Sequence, residues 1–149
     1  MSFTKVIYCL GFAGLSPFLG GLVLSATQYK IYGISGATIF TTYSLAILCF
    51  LAGAVWGQIL RIESSPIQQM HLIMTNVFVV VGWFAFLTSQ KLYVLGVIVL
   101  MLVFACIFFL EISLFEPSTI RQNAQYSRLR KMLTSLVVAA HAGMVVIHV

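Results

Sequence analysis

No aspartate occurs anywhere in the 149 residues, and glutamate occurs three times, at Glu63, Glu111 and Glu116. Paired carboxylates for acid–base work and an aspartate-oriented triad are therefore missing, as are a Gly-rich phosphate loop and zinc-type spacing. Charge of either sign is scarce: eight basic and three acidic residues make up 7% of the chain, against roughly a quarter of positions in soluble domains. Such a composition cannot clothe a water-facing exterior. Cys9, Cys49 and Cys106 form no Cys-x-x-Cys pair and all fall in apolar stretches. They read as small buried side chains rather than redox or metal ligands.

What the chain has in abundance is apolar length, with 61% hydrophobic residues. A helix needs about 20 such residues to cross hydrocarbon, and runs of that kind lie at 6–27, 39–60, 67–87, 92–114 and 132–149. The third run reaches full length with Pro66 in its first turn and Ser65 as cap. Membrane strands would alternate over about ten residues; these runs are continuous. The first run is too long for a signal core, of ~7–15 residues, and Leu24 before Ala26 suits signal cleavage poorly, so it reads as a retained anchor. The expectation is an all-α, polytopic bundle of five transmembrane helices, a single domain over 1–149. A basic connection at 115–131 joins the last two, and Glu116-Pro117-Ser118 is expected to end the fourth helix and open a short surface helix.

Orientation follows from the basic residues. Five spans put Lys5, Arg61, Arg121, Arg128, Arg130 and Lys131 on one side and Lys30 and Lys91 on the other. The positive-inside rule then sets the N-terminus in the cytoplasm and the C-terminus outside. No Arg- and Ser-rich presequence is evident, which favours the bacterial inner membrane. The net charge of +5 is spread beside spans without a recognition fold, so anionic lipid headgroups are the expected partner and nucleic acid is not. Tyr29, Tyr32 and Tyr93 at the outer ends, and Trp56 and Tyr126 at the inner ends, suit interfacial anchoring.

Within the spans, small residues recur every fourth position at Cys49, Gly53 and Gly57 and at Ser135, Ala139 and Gly143. Such faces let helix backbones approach, and packing inside the chain is the default expectation, with a second protein as the alternative. Pro17, aided by Gly14 and Gly20, is expected to kink the first helix. His71, His141 and His148 lie at three different depths, which argues against axial haem ligation; no cofactor or metal is expected. His141, near mid-membrane, is either a neutral imidazole bonded to a neighbouring helix or a functional group. Glu111, the one acid inside a span, is expected to meet Arg128 or Arg130, either as a structural pair or as a proton or ligand site. With these spans oriented, Trp56, Gln69, His71, Asn76, Glu111, Arg128, Arg130 and Thr134 gather in or beside the cytoplasmic half.

Three stretches resemble the transmembrane protein 69-like family. Gly11-Phe-Ala-Gly14-Leu-Ser-Pro17-Phe18 is similar to its Gly-x-x-Gly-Leu-x-Pro-Phe, and Phe50-Leu51-Ala52-Gly53-Ala54-Val55-Trp56-Gly57 to its Phe-Leu-Gly-Gly-x-x-Trp-Gly. Tyr126-Ser-Arg128-Leu129-Arg130-Lys-Met-Leu133-Thr134 resembles its Tyr-x-x-Leu-Arg-x-x-Leu-Thr. Ala52 stands in place of a glycine, Val55 where a basic residue or His is frequent, and Glu111 where Asp is usual. The resemblance implies a helical membrane domain without an assigned activity, and its mitochondrial members point toward energy-conserving inner membranes.

The sequence thus leads to a non-enzymatic accessory or assembly subunit that binds other membrane proteins or itself, with a small carrier or permeability factor for an ion, lipid or apolar compound as the alternative. Orientation has a direct test. Alkaline phosphatase fused after Val149 is expected to be active and a fluorescent protein fused there dark; the reverse pattern inverts the topology.

Overall fold

A computed structural model describes residues 3–61, 65–114 and 124–149. Its helices are α1 (Phe3–Ala13), α2 (Ser16–Ala26), α3 (Gly36–Ile59), α4 (Pro66–Ser89), α5 (Tyr93–Leu114) and α6 (Ala124–His148). A two-residue pair of strands, β1 (Lys30–Ile31) and β2 (Ile34–Ser35), lies between α2 and α3. Lys5–Ala26, Gly36–Ile59, Pro66–Ser89, Tyr93–Leu114 and Tyr126–His148 are each long and apolar enough to cross a bilayer. The chain is a multi-pass membrane protein, with large apolar side chains such as Leu19, Val23, Phe50, Phe109 and Val146 exposed around its outside.

The first span is interrupted beside Pro17, where a kink is expected, although Leu15 between the two helical stretches keeps helical backbone (φ −83°, ψ −19°). Pro17 has no N–H to offer the Ala13 carbonyl, and in hydrocarbon every carbonyl needs a donor. Ser16 Oγ donates to Ala13 O at 2.7 Å, and Tyr43 OH, from α3, donates to Gly14 O at 2.9 Å. The chain therefore leaves α1 at Ala13 and enters α2 at Ser16. Gly20 lies within α2 beyond the interruption, and among the described residues nothing lies within 4 Å of where its Cβ would be.

Local signals place the other ends. Ser35 Oγ accepts from Thr38 N at 3.1 Å at the start of α3. Ser65 Oγ accepts from Gln68 N at 3.4 Å ahead of Pro66 in α4. Between α2 and α3, Tyr32 (φ 51°) and Gly33 (φ 79°) form the turn of the β1–β2 pair, a two-residue hairpin that needs left-handed backbone at both central positions. The α6 helix begins at Ala124, eight residues before the span expected at 132. Arg128, Arg130 and Lys131 thus lie on a helix rather than in the connection: charge removed these residues from the apolar window, yet Gln, Arg, Leu, Lys and Met are all good helix formers. The Glu116-Pro117-Ser118 exit and the start of the expected surface helix lie outside the described residues.

The helices form a closed ring. α2 packs on α3, α3 on α4, α4 on α5, α5 on α6, and α6 returns to α1 and α2, with α3 and α5 touching across the middle. Phe18, Phe40, Leu48, Val97, Leu100, Phe104, Ile107 and Met144 fill the interior.

Close backbone approach inside the ring comes from glycines other than those singled out by spacing. A Cβ on Gly36 would collide with backbone of α2 at Gly21, Leu24 and Ser25; one on Gly96 would lie 2.5 Å from Ala85 O and 2.6 Å from Ser89 Cβ. Leu48 occupies the place left beside Gly82. By contrast Cys49, Gly53 and Gly57 are exposed on the outside of α3, and Ser135 and Ala139 on the outside of α6. Gly143 alone of the two predicted faces packs internally, against Leu22. The expectation of internal packing is corrected for the other five residues, and so is that of buried cysteines: Cys9, Cys49 and Cys106 are all exposed. In lipid an outward small or thiol side chain carries little penalty, so spacing alone does not tell inside from outside.

Two predictions follow from this packing. Tyr43→Phe leaves Gly14 O without its donor and is expected to lower stability by about 1 kcal/mol, read as a lower midpoint in detergent unfolding. Gly36→Leu is expected to prevent accumulation of folded protein, whereas Gly53→Leu leaves monomer stability within about 0.5 kcal/mol of the parent; equal losses at both glycines would contradict the packing.

Candidate functional site

The polar residues gathered by the sequence separate into three groups, two of them near the end of α5 and the third on the outer side of α3 and α4. In the first, Glu111 is 3% exposed near the end of α5, and Arg130 Nε, on α6, donates to its Oε2 at 2.7 Å. Tyr126 OH donates to Oε1 at 3.2 Å. Tyr126 and Arg130 are four residues apart and so share one face of α6. Of the two arginines expected opposite Glu111, Arg130 makes the contact, and Arg128 is exposed. A buried carboxylate and guanidinium neutralise each other here, and the phenol occupies the second carboxylate oxygen. Tyr126, which the sequence suggests as an anchor, has this further role; its spacing from Arg130 was the available signal.

In the second group, His71 Nε2 on α4 lies 3.2 Å from Ser113 Oγ on α5. Ser113 Oγ also donates to Leu110 O at 2.7 Å. A hydroxyl has one proton, so with that proton on Leu110 O the imidazole must donate from Nε2. His71 Nδ1 is buried and has no hydrogen-bond partner among the described residues. This pair joins α4 to α5 beside the Glu111 group without a described bond between the two.

The third group faces outward. Cys49, Ala52, Gly53 and Trp56 of α3 and Thr75, Asn76 and Val79 of α4 line an open groove of about 370 Å³. Thr75 is buried and donates to Leu72 O. Asn76 is exposed, and its Nδ2 donates back to Leu72 O at 3.0 Å. It lies near the middle of the 24-residue α4, on the outward side of the bundle. Gln69, expected near this end, is likewise exposed.

Thr134 belongs to none of the three. It is 8% exposed and lines a separate pocket with Arg130, Gly11, Gly14, Leu15 and Phe18.

His141 stands apart in the core. It is fully buried, its Nδ1 lies 2.8 Å from Val137 O, and its ring is surrounded by Phe40 (4.8 Å between centroids), Phe104 (5.2 Å) and Phe18 (5.8 Å). Because a carbonyl only accepts, Nδ1 carries the proton, and Nε2 has no partner among the described residues. The expected bond to a neighbouring helix is corrected: the imidazole bonds its own helix, and its contacts with α2, α3 and α5 are aromatic. At the opposite end, Tyr93 is not a free anchor either, since its ring packs 4.2 Å from that of His148. Among the described residues no group of three His, Cys, Asp or Glu side chains is placed to hold a metal.

The ion pair sets a clear expectation. Glu111→Gln and Arg130→Gln each leave one buried charge unmatched and are expected to cost about 3 kcal/mol. The double variant is expected to recover part of that loss in a detergent unfolding cycle; simple additivity would show that the two groups do not interact.

No curated protein and no solved structure matches the chain. Residues 3–146 match the model of a family described as proteins of unknown function, DUF3429. That match spans nearly the whole bundle, from the interrupted first span to the last turn of α6, and the chain belongs to the DUF3429 family.

Proposed function

We propose that this protein is a non-enzymatic accessory or assembly subunit of a bacterial inner-membrane complex, and that it holds a transmembrane helix of another subunit in the groove between α3 and α4. The observation that carries this reading is Asn76 beside an open floor of small residues. An amide facing hydrocarbon lacks partners for its remaining donor and acceptor, and a polar group from another helix supplies them. Among the described residues nothing lies within 4 Å of the Cβ positions of Gly53 and Gly57, so a second backbone can come close there. Trp56 closes one side of the groove with an indole whose N–H can meet a carbonyl or a headgroup.

The basic-residue distribution supports a cytoplasmic N-terminus, which sets Trp56, Glu111 and Arg130 toward the cytoplasmic side with anionic headgroups beside Arg128 and Lys131. The likeness to transmembrane protein 69-like sequences supports an inner membrane that houses energy-conserving complexes. A carrier would require polar groups in sequence across the bundle. His141 is sealed among three phenylalanine rings and shares no described hydrogen bond with Glu111 or Arg130, which favours the subunit reading.

A photo-crosslinking amino acid at Gly53, in native membranes, is expected to capture a defined membrane protein, while the same probe at Phe109, outward on α5, captures none. Asn76→Leu is expected to reduce capture at Gly53 at least fivefold with the monomer still folded. A lone monomer in mild detergent, together with equal labelling at both probe sites, would refute the proposal.

A further inference from the structure

We infer that the break in the first span creates a lipid site, in which one acyl chain enters the bundle wall and its ester carbonyl is held by Arg130 and Thr134. The site is a pocket of about 160 Å³ distinct from the α3–α4 groove, and its apolar wall includes Leu10, Leu15, Phe18, Leu51 and Val137. Gly11 and Gly14 line it where α1 stops.

The polar end of the pocket is built from two side chains. Arg130 is 13% exposed at its side chain; its Nε donates to Glu111, and it also makes a side-chain hydrogen bond with Tyr126. A guanidinium carries five N–H groups, so donors are left over from these two contacts. Thr134, one turn further along α6, is more than nine-tenths buried and makes no hydrogen bond among the described residues. An apolar slot with a few convergent donors is the usual form of a small-molecule site.

Charge and size select the occupant. Glu111 already neutralises Arg130, so a second carboxylate or phosphate at this depth would leave the site with an unmatched negative charge in a low dielectric. A neutral oxygen acceptor meets the free N–H and O–H groups without that cost. The volume is below the ~300–1,000 Å³ of sites that enclose a whole drug-sized ligand, and it suits one hydrocarbon chain whose remainder stays in the bilayer. An ester-linked glycerolipid combines a neutral carbonyl with such a chain. Its headgroup would then extend toward Arg128 and Lys131, the basic residues flanking Arg130 in sequence.

The full-length protein in vesicles of phosphatidylethanolamine and phosphatidylglycerol, doped with a phosphatidylethanolamine bearing a mid-chain diazirine, tests the assignment. Irradiation is expected to label Leu15, Phe18 or Val137 at least fivefold above Val80, an outward residue of α4. Thr134→Val is expected to lower pocket labelling about fivefold, the equivalent of one hydrogen bond, and Leu10→Trp to lower it further by filling the mouth. Leu10 is 68% exposed, so this second variant keeps the test open if the buried substitution fails to fold. Labelling equal to that of Val80, or unchanged by both variants, would overturn the site. Labelling by a diazirine fatty acid but not by the ester lipid would overturn the neutral-head assignment in favour of an anion. Partner capture at Gly53 is independent of either outcome.

Discussion

A carbonyl inside hydrocarbon cannot borrow a proton from water, and Pro17 removes the one its own helix would have supplied. Much of the bundle's individuality follows from how that loss is met. Ser16 turns back to Ala13, and Tyr43 reaches from α3 to Gly14, so the repair ties the first span to its neighbour. The break also sends Phe18 into the interior, where it packs edge-on against Phe40, Tyr43 and Phe104 and lies beside His141. The same interruption that endangers the backbone therefore organises the aromatic centre and leaves room at Gly11 and Gly14.

Two kinds of polar burial coexist in this protein. At Glu111 every strong demand is met across helices, by a guanidinium and a phenol. At His141 the imidazole turns its N–H onto its own helix and otherwise meets rings. The first ties α6 to α5 by a directional contact, with no equivalent contact if α6 rotates. The second tolerates small shifts, since ring packing has a broad optimum. A rigid end and a more forgiving middle suit a bundle that presents one outward groove without distorting its core.

The number of spans and the Ser65 cap were legible in the sequence because both are local: apolar length sets the first, and a serine directly ahead of Pro66 the second. The inward faces were not. Gly53 and Gly36 are the same residue type, and only the tight β1–β2 turn, which brings α3 back against α2, makes Gly36 the close contact. That turn was itself hidden, because its central residues are Tyr32 and Gly33 rather than the Asn-Gly or Asp-Gly that usually announces it. The Glu111–Arg130 pairing was half legible: charge complementarity limited the partner to two arginines, but choosing between them required the helical phase of α6, whose start lay outside the apolar window. The isolation of His141 could not be read from one helix, since three other helices supply its ring neighbours.

The closed ring has a bearing on biogenesis. Helices enter a membrane from the N-terminal end as they are synthesised, and here the last of the described helices packs directly on the first two. Until α6 arrives, Phe18, Phe40 and Phe104 surround a place with no imidazole in it, and Glu111 has neither of its partners. The seam, the buried charge and the aromatic centre all depend on side chains of this one span, so α6 is the keystone of the described bundle.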